Sequence, residues 1–221
     1  VNVQGNPEGW AELARLGARS LPVVARGDKF LIAQSLGKLS EFLGLDEVIK
    51  PKLSPDELAA RVDVILAAVG RFVRQIPDDR FEDKLRNRDR TYRVLCYHVF
   101  RIPEAFMEAM SADIELKHES LTVPPPDSIR LPGQVADYGD QVRAKFAAWW
   151  RTFPDHTGTK TVATYYGPQP MHEVMERATW HCGQHSRQLM MLLEGLSIAP
   201  RQPLTAADYA GLPMPEKVWD E

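Results

Sequence analysis

A mainly α-helical protein, a four-helix bundle preceded by a small α/β segment, is the fold class this sequence predicts. Three observations predict it. Apolar residues recur at helical spacing from Leu58 through Val62, Leu66, Val69 and Val73. Proline-rich or polar stretches, residues 77–90 and "TVPPPDSIRLP", cut the remaining chain into pieces of helix length. The first 44 residues have another grammar, short apolar runs around a Gly-Asp turn.

In chain order, residues 7–16 predict a helix after "GN", and "LPVVARGDKFLIA" predicts two short strands turning at Arg26, Gly27 and Asp28. "SLGKLSEFLGL" follows as a helix. "SPDE" at residues 54–57 supplies a capping serine, a proline at the first helical position and a glutamate that completes a capping box. The helix it opens should reach about Ile76. A second helix spans residues 91–110 with Pro103 inside it, where a bend or interruption is expected. Residues 122–132 form a stiff crossover, since three consecutive prolines cannot be helical. The third helix runs from about Gly133 through "VRAKFAAWWRTF" and the fourth from about Pro170 to Leu196. Residues 199–221, rich in proline, should pack as extended chain on the outside. The expected organisation is thus residues 1–48, residues 53–198 and a tail.

Composition narrows the function classes. With 44% hydrophobic and 26% charged residues the chain reads as a soluble globular protein, and a net charge of −3 gives no reason to expect nucleic acid or an anionic membrane surface. No apolar run approaches the roughly 20 residues that span a bilayer, and "VNVQGNPEGW" lacks signal-peptide features. Cys96 and Cys182 both fall in helical patterns, which fits a reducing, cytoplasmic setting better than a disulfide scaffold.

"TWHCGQHSRQL" at residues 179–189 carries the chemistry. Side chains four apart on a helix project about 40° apart, so His181 and His185 share a face and could hold one metal ion. By itself such a pair is more often surface or satisfied core than ligand, and an ion needs at least one further protein ligand. Cys182 points about 100° away and either packs beside the pair or offers a reactive thiol. His172 falls on roughly the opposite side of the helix, and His118 and His156 read as surface residues. His98 sits between Leu95 and Val99, an apolar setting in which a hydrogen-bonded core histidine is the default reading.

"LCYHVFRIPEAF" and "ATWHCGQHSRQL", taken with the helix order, resemble the DinB/YfiT-like superfamily over about residues 58–198. The resemblance implies a divalent metal held by three histidines, one from the second helix and two from the last. By motif these are His98, His181 and His185. It further implies open coordination positions and an enzyme using low-molecular-weight thiols, commonly as a homodimer. The aromatic "FAAWWRTF" adds weak support for a dimer.

Ahead of the helices, "SLPVVARGDKFLIAQSLGKLSEFLGL" resembles the second half of a glutaredoxin. The resemblance implies a cis-proline at Pro22 and a thiol-binding segment at Ser20, Leu21 and Pro22, with "VNV" as a strand. The first strand, the cysteine turn and the first helix of that family have no counterpart. With no initiator methionine either, the expectation is a natural protein that begins upstream.

Together these imply a metal-dependent, glutathione-linked transferase or hydrolase acting on an electrophile. Zinc, nickel and iron suit three imidazoles almost equally. A non-catalytic metal-binding or stress-response protein is the alternative. Tyr97, Tyr165 and Tyr166 are candidates for proton transfer, and Arg187 for anchoring an acidic substrate.

Overall fold

A computed structural model describes residues 3, 6–18, 21–46, 49–86 and 88–219. The chain is mainly helical, with small two-stranded sheets, and divides into two compact units, Val1–Lys50 and Pro51–Glu221.

In the first unit, α1 (Pro7–Leu16) starts where the Asn6 side chain accepts from the Gly9 N–H, filling one of the orphan donors of a helix start. β1 (Val23–Arg26) and β2 (Lys29–Ile32) form an antiparallel hairpin in which Val23 faces Ile32. Arg15 ties α1 to its turn, donating to Asp28 at 2.7 Å and to the Gly27 carbonyl at 3.3 Å. α2 (Leu36–Leu43) is capped by Ser35. The Leu21–Pro22 peptide is cis. Ser20 and residues 1–2 lie outside the described residues, and Val3 is not in a strand. The Leu21 carbonyl, in the segment expected to bind a thiol, accepts from Gln34 Nε2 at 3.0 Å.

The second unit is built on four long helices. α3 (Pro55–Val73) opens with both bonds of the Ser54/Glu57 capping box. α4 (Tyr92–Ala112), the short α5 (His118–Leu121), α6 (Pro132–Thr152) and α7 (Met171–Gly195) follow. α3 and α4 each pack against both α6 and α7, burying one apolar core that includes Phe72, Phe100, Phe106 and Leu189. β3 (Thr161–Val162) and β4 (Gln169–Pro170) close a small antiparallel turn before α7.

Three expectations need correction. Pro103 does not interrupt α4, which runs unbroken through it with Ile102, Pro103 and Ala105 buried. The tail is not simply extended: Thr205 and Asp208 cap a 3₁₀ turn at Ala206–Tyr209 that buries Tyr209 and, just beyond, Leu212. Much of the aromatic surface read as a dimer signal is covered within one chain. Phe146 and Trp150 are buried, and Trp150 Nε1 donates to Asp56 at 2.8 Å. Among the described residues, no helix is long and apolar enough to cross a membrane.

Candidate metal centre

α4 brings His98, and α7 brings His181 and His185, to one point. One ligating atom from each lies within 4.8 Å of those of the other two. Nitrogens sharing a tetrahedral ion at about 2.1 Å stand about 3.4 Å apart, so the cluster would need to tighten by only about 1 Å to hold one. The ring centroids are 5.5 Å (His98–His181), 5.2 Å (His98–His185) and 4.9 Å (His181–His185) apart.

The hydrogen bonds around the rings orient them. His98 Nδ1 lies 2.7 Å from the Leu121 carbonyl, which can only accept, so Nδ1 carries the proton and Nε2 keeps its lone pair. His185 Nδ1 is held by Gln188 Oε1 at 2.9 Å. Such outer bonds fix ring orientation and tautomer in metal sites. Meanwhile His185 Nε2 and His181 Nδ1 are buried with no hydrogen-bond partner. The contrast along α7 is informative: buried Thr179, Gln184 and Ser186 all find partners. A buried polar atom left without one costs free energy and calls for an explanation. A cation shared by the three rings would supply it. The Gln169 amide is also buried without a partner, and nothing in the structure explains it.

The electrostatics keep the rings in their ligating form. Burial first, then the positive charge of Arg90, pushes His98 down to about 4. Burial likewise holds His181 and His185 well below the usual histidine range, and each ring's neighbours in the cluster add to it. Neutral imidazoles are what a divalent ion needs. The cluster has no carboxylate, which favours borderline metals over magnesium or calcium.

The other candidates stand elsewhere. Cys182 is fully buried and burial pushes its thiol up, out of the reactive range. Its Sγ lies 3.5 Å from the Val99 carbonyl, the group that Pro103, lacking an N–H, cannot satisfy within α4. The thiol thus completes a proline-interrupted helix bond and ties α7 to α4 beside the histidines. Tyr97 stacks on Tyr138 at 4.6 Å, with the Tyr138 hydroxyl donating to Glu104. Tyr165 accepts from Arg177 at 3.3 Å, and that guanidinium lies 5.4 Å from the centre of the Tyr166 ring. Arg177 is one turn before His181, a placement that helical spacing alone gives. Arg187, proposed as a substrate anchor, is bonded to the carbonyls of Pro215 and Glu216. His172 donates to or accepts from nothing in the cluster; its Nε2 bonds the Leu53 carbonyl.

Glu176, on α7 but outside the cluster, gives a test of burial on this helix. Burial pushes its carboxyl up from about 4.5 to about 7, opposed by a bond from the Lys52 backbone and reinforced by the Glu173 charge. With the folded value raised, its contribution is greatest below pH 4.5 and is lost as pH rises through 7. Glu176→Gln removes the titration. Denaturant melts should find it more stable than the parent by about 2–3 kcal/mol at pH 8, and about equal at pH 4.5.

No protein-family model matches the chain, and no curated protein matches it.

Proposed function

We propose that the second unit is a four-helix bundle of DinB/YfiT-like type and a metal-dependent enzyme, with His98, His181 and His185 as ligands of one divalent ion. The observation that carries this reading is the pair of buried, unpartnered nitrogens on His181 and His185 facing a third imidazole whose tautomer is set by the Leu121 carbonyl. His98, His181 and His185 would hold the ion, which would then lower the pKa of a bound water or thiol and so supply a nucleophile at neutral pH. The chain's own part is to hold that ion in a dry site and to fix the three rings.

A thiol-linked transferase or hydrolase is the activity we favour, with glutathione as co-substrate and an electrophilic small molecule as the second. The antiparallel hairpin and the capped helix after it in the first unit, in the order the glutaredoxin resemblance leads one to expect, support it. Two free, buried cysteines support a reducing compartment such as the cytoplasm, and a homodimer remains part of the proposal. The competing reading is a metal-binding or stress-response protein without turnover. It is favoured by one observation: among the described residues the cluster contains no Asp or Glu to act as general base.

The deciding experiment loads the protein with zinc, nickel or iron(II) and offers glutathione with aryl halides, epoxides, activated alkenes and thioesters. Thiol-dependent turnover that falls to background in His98→Ala supports the enzyme. Stoichiometric metal with no turnover on any pair leaves the binding protein.

A further inference from the structure

The last described residues cross α7 at the level of the histidines. Gln184 Nε2 donates to the Lys217 carbonyl at 2.8 Å. Arg187 donates to the carbonyls of Pro215 at 2.6 Å and Glu216 at 2.8 Å. These bonds deliver the indole of Trp219 onto the cluster. Its ring lies 5.1 Å from His181 at 89° and 4.8 Å from His185 at 71°, and it meets Trp180 at 6.1 Å. Gln184 and Arg187, which flank His185 in sequence, therefore serve a strap.

We propose that residues 215–219 are the gate of the histidine site and that Trp219 decides what reaches the imidazole nitrogens. The indole covers both α7 histidines from one side and presents them with an apolar ring, which keeps water from that side. The three bonds run from two side chains to main-chain carbonyls, and Pro215, Glu216 and Lys217 are exposed. The two bonds from Arg187 are exposed, and exposed chain opens locally more readily than the buried helices beneath it. A ligand approaching from this side must either be small enough to pass the indole or lift the strap from Arg187. What the gate guards rests on the metal reading; the cover over the two rings does not.

The test compares the parent with Trp219→Ala, Trp219→Phe and Arg187→Ala. One readout is the rate at which zinc-loaded protein yields its metal to a chromophoric chelator. The other is modification of His181 and His185 by diethyl pyrocarbonate in metal-free protein, mapped by mass spectrometry against the exposed His118. Both alanine variants should speed both reactions by about tenfold or more, with Trp219→Phe close to the parent. Arg187→Ala frees the strap without altering the indole, so it decides the matter should Trp219→Ala fail to fold. Equal rates in parent and Arg187→Ala overturn the gate. A parent that takes up no zinc overturns the metal reading instead, and the modification rates still decide the gate.

Discussion

Replacing His181 and His185 together by alanine should abolish metal binding. Elemental analysis of the parent should find about one equivalent of zinc, nickel or iron, and the variant none, because one remaining imidazole cannot chelate. Stability separates this from a merely structural role. Metal at about a thousand times its dissociation constant should stabilise the parent by about 4 kcal/mol, raising its melting temperature by roughly 8–16 °C. The variant should not respond to metal at all. Without metal the two proteins should lie close together. Truncating two rings leaves a cavity, but it also removes two buried nitrogens that lack partners, worth about 1–3 kcal/mol each. Core histidines with satisfied bonds would behave otherwise: the variant would be weaker with or without metal. The pH dependence has a defined sign as well. Burial holds His98 at about 4, below its ordinary 6.5, so protons compete for it only in that lower range. The loaded parent should keep its metal at pH 5.5, where exposed histidines would be losing theirs.

Local signals make most of the helices legible in the sequence. The Ser54–Glu57 box and the prolines at 55 and 132 are written within four residues of the boundaries they set. The His181/His185 pair is legible for the same reason, since helical spacing alone puts both on one face. His98 is not. Its partners come from another helix, and only the resemblance raises it above a core histidine. The bond from Cys182 to the Val99 carbonyl joins residues 83 apart, and the Leu121 carbonyl that orients His98 belongs to a four-residue helix with no periodicity to read. Trp219 gives no signal at all. It follows His185 by 34 residues through proline-rich chain, and nothing local to "EKVWDE" announces that its ring turns back onto α7. Thr205 and Asp208, by contrast, form a capping pair whose three-residue spacing is itself a sequence signal.

Gly139→Ala should strongly destabilise the second unit. A Cβ built at Gly139 on α6 would stand 2.3–2.6 Å from three atoms of the Phe100 ring on α4. Phe100 is fully buried and already meets the Tyr138 ring edge-on at 6.2 Å, so it has nowhere to turn. The two helices must part by about 1 Å, at a cost of about 3 kcal/mol. For a unit of this size that lowers the melting temperature by roughly 6–12 °C. Gly133→Ala is the control. It lies on the same helix, exposed, with nothing within 4 Å of the added methyl, and should be neutral or more stable by up to about 1 kcal/mol. The damage should also reach the histidines. Phe100 follows His98 by two residues on α4, so pushing α4 away from α6 moves one ligand relative to the two on α7, and metal affinity should fall along with stability. Adding Phe100→Leu to Gly139→Ala makes room for the methyl. The double variant should recover more than 1 kcal/mol beyond the sum of the single effects, with part of the metal affinity. Strict additivity would show that α4 and α6 are not held at their spacing by this contact.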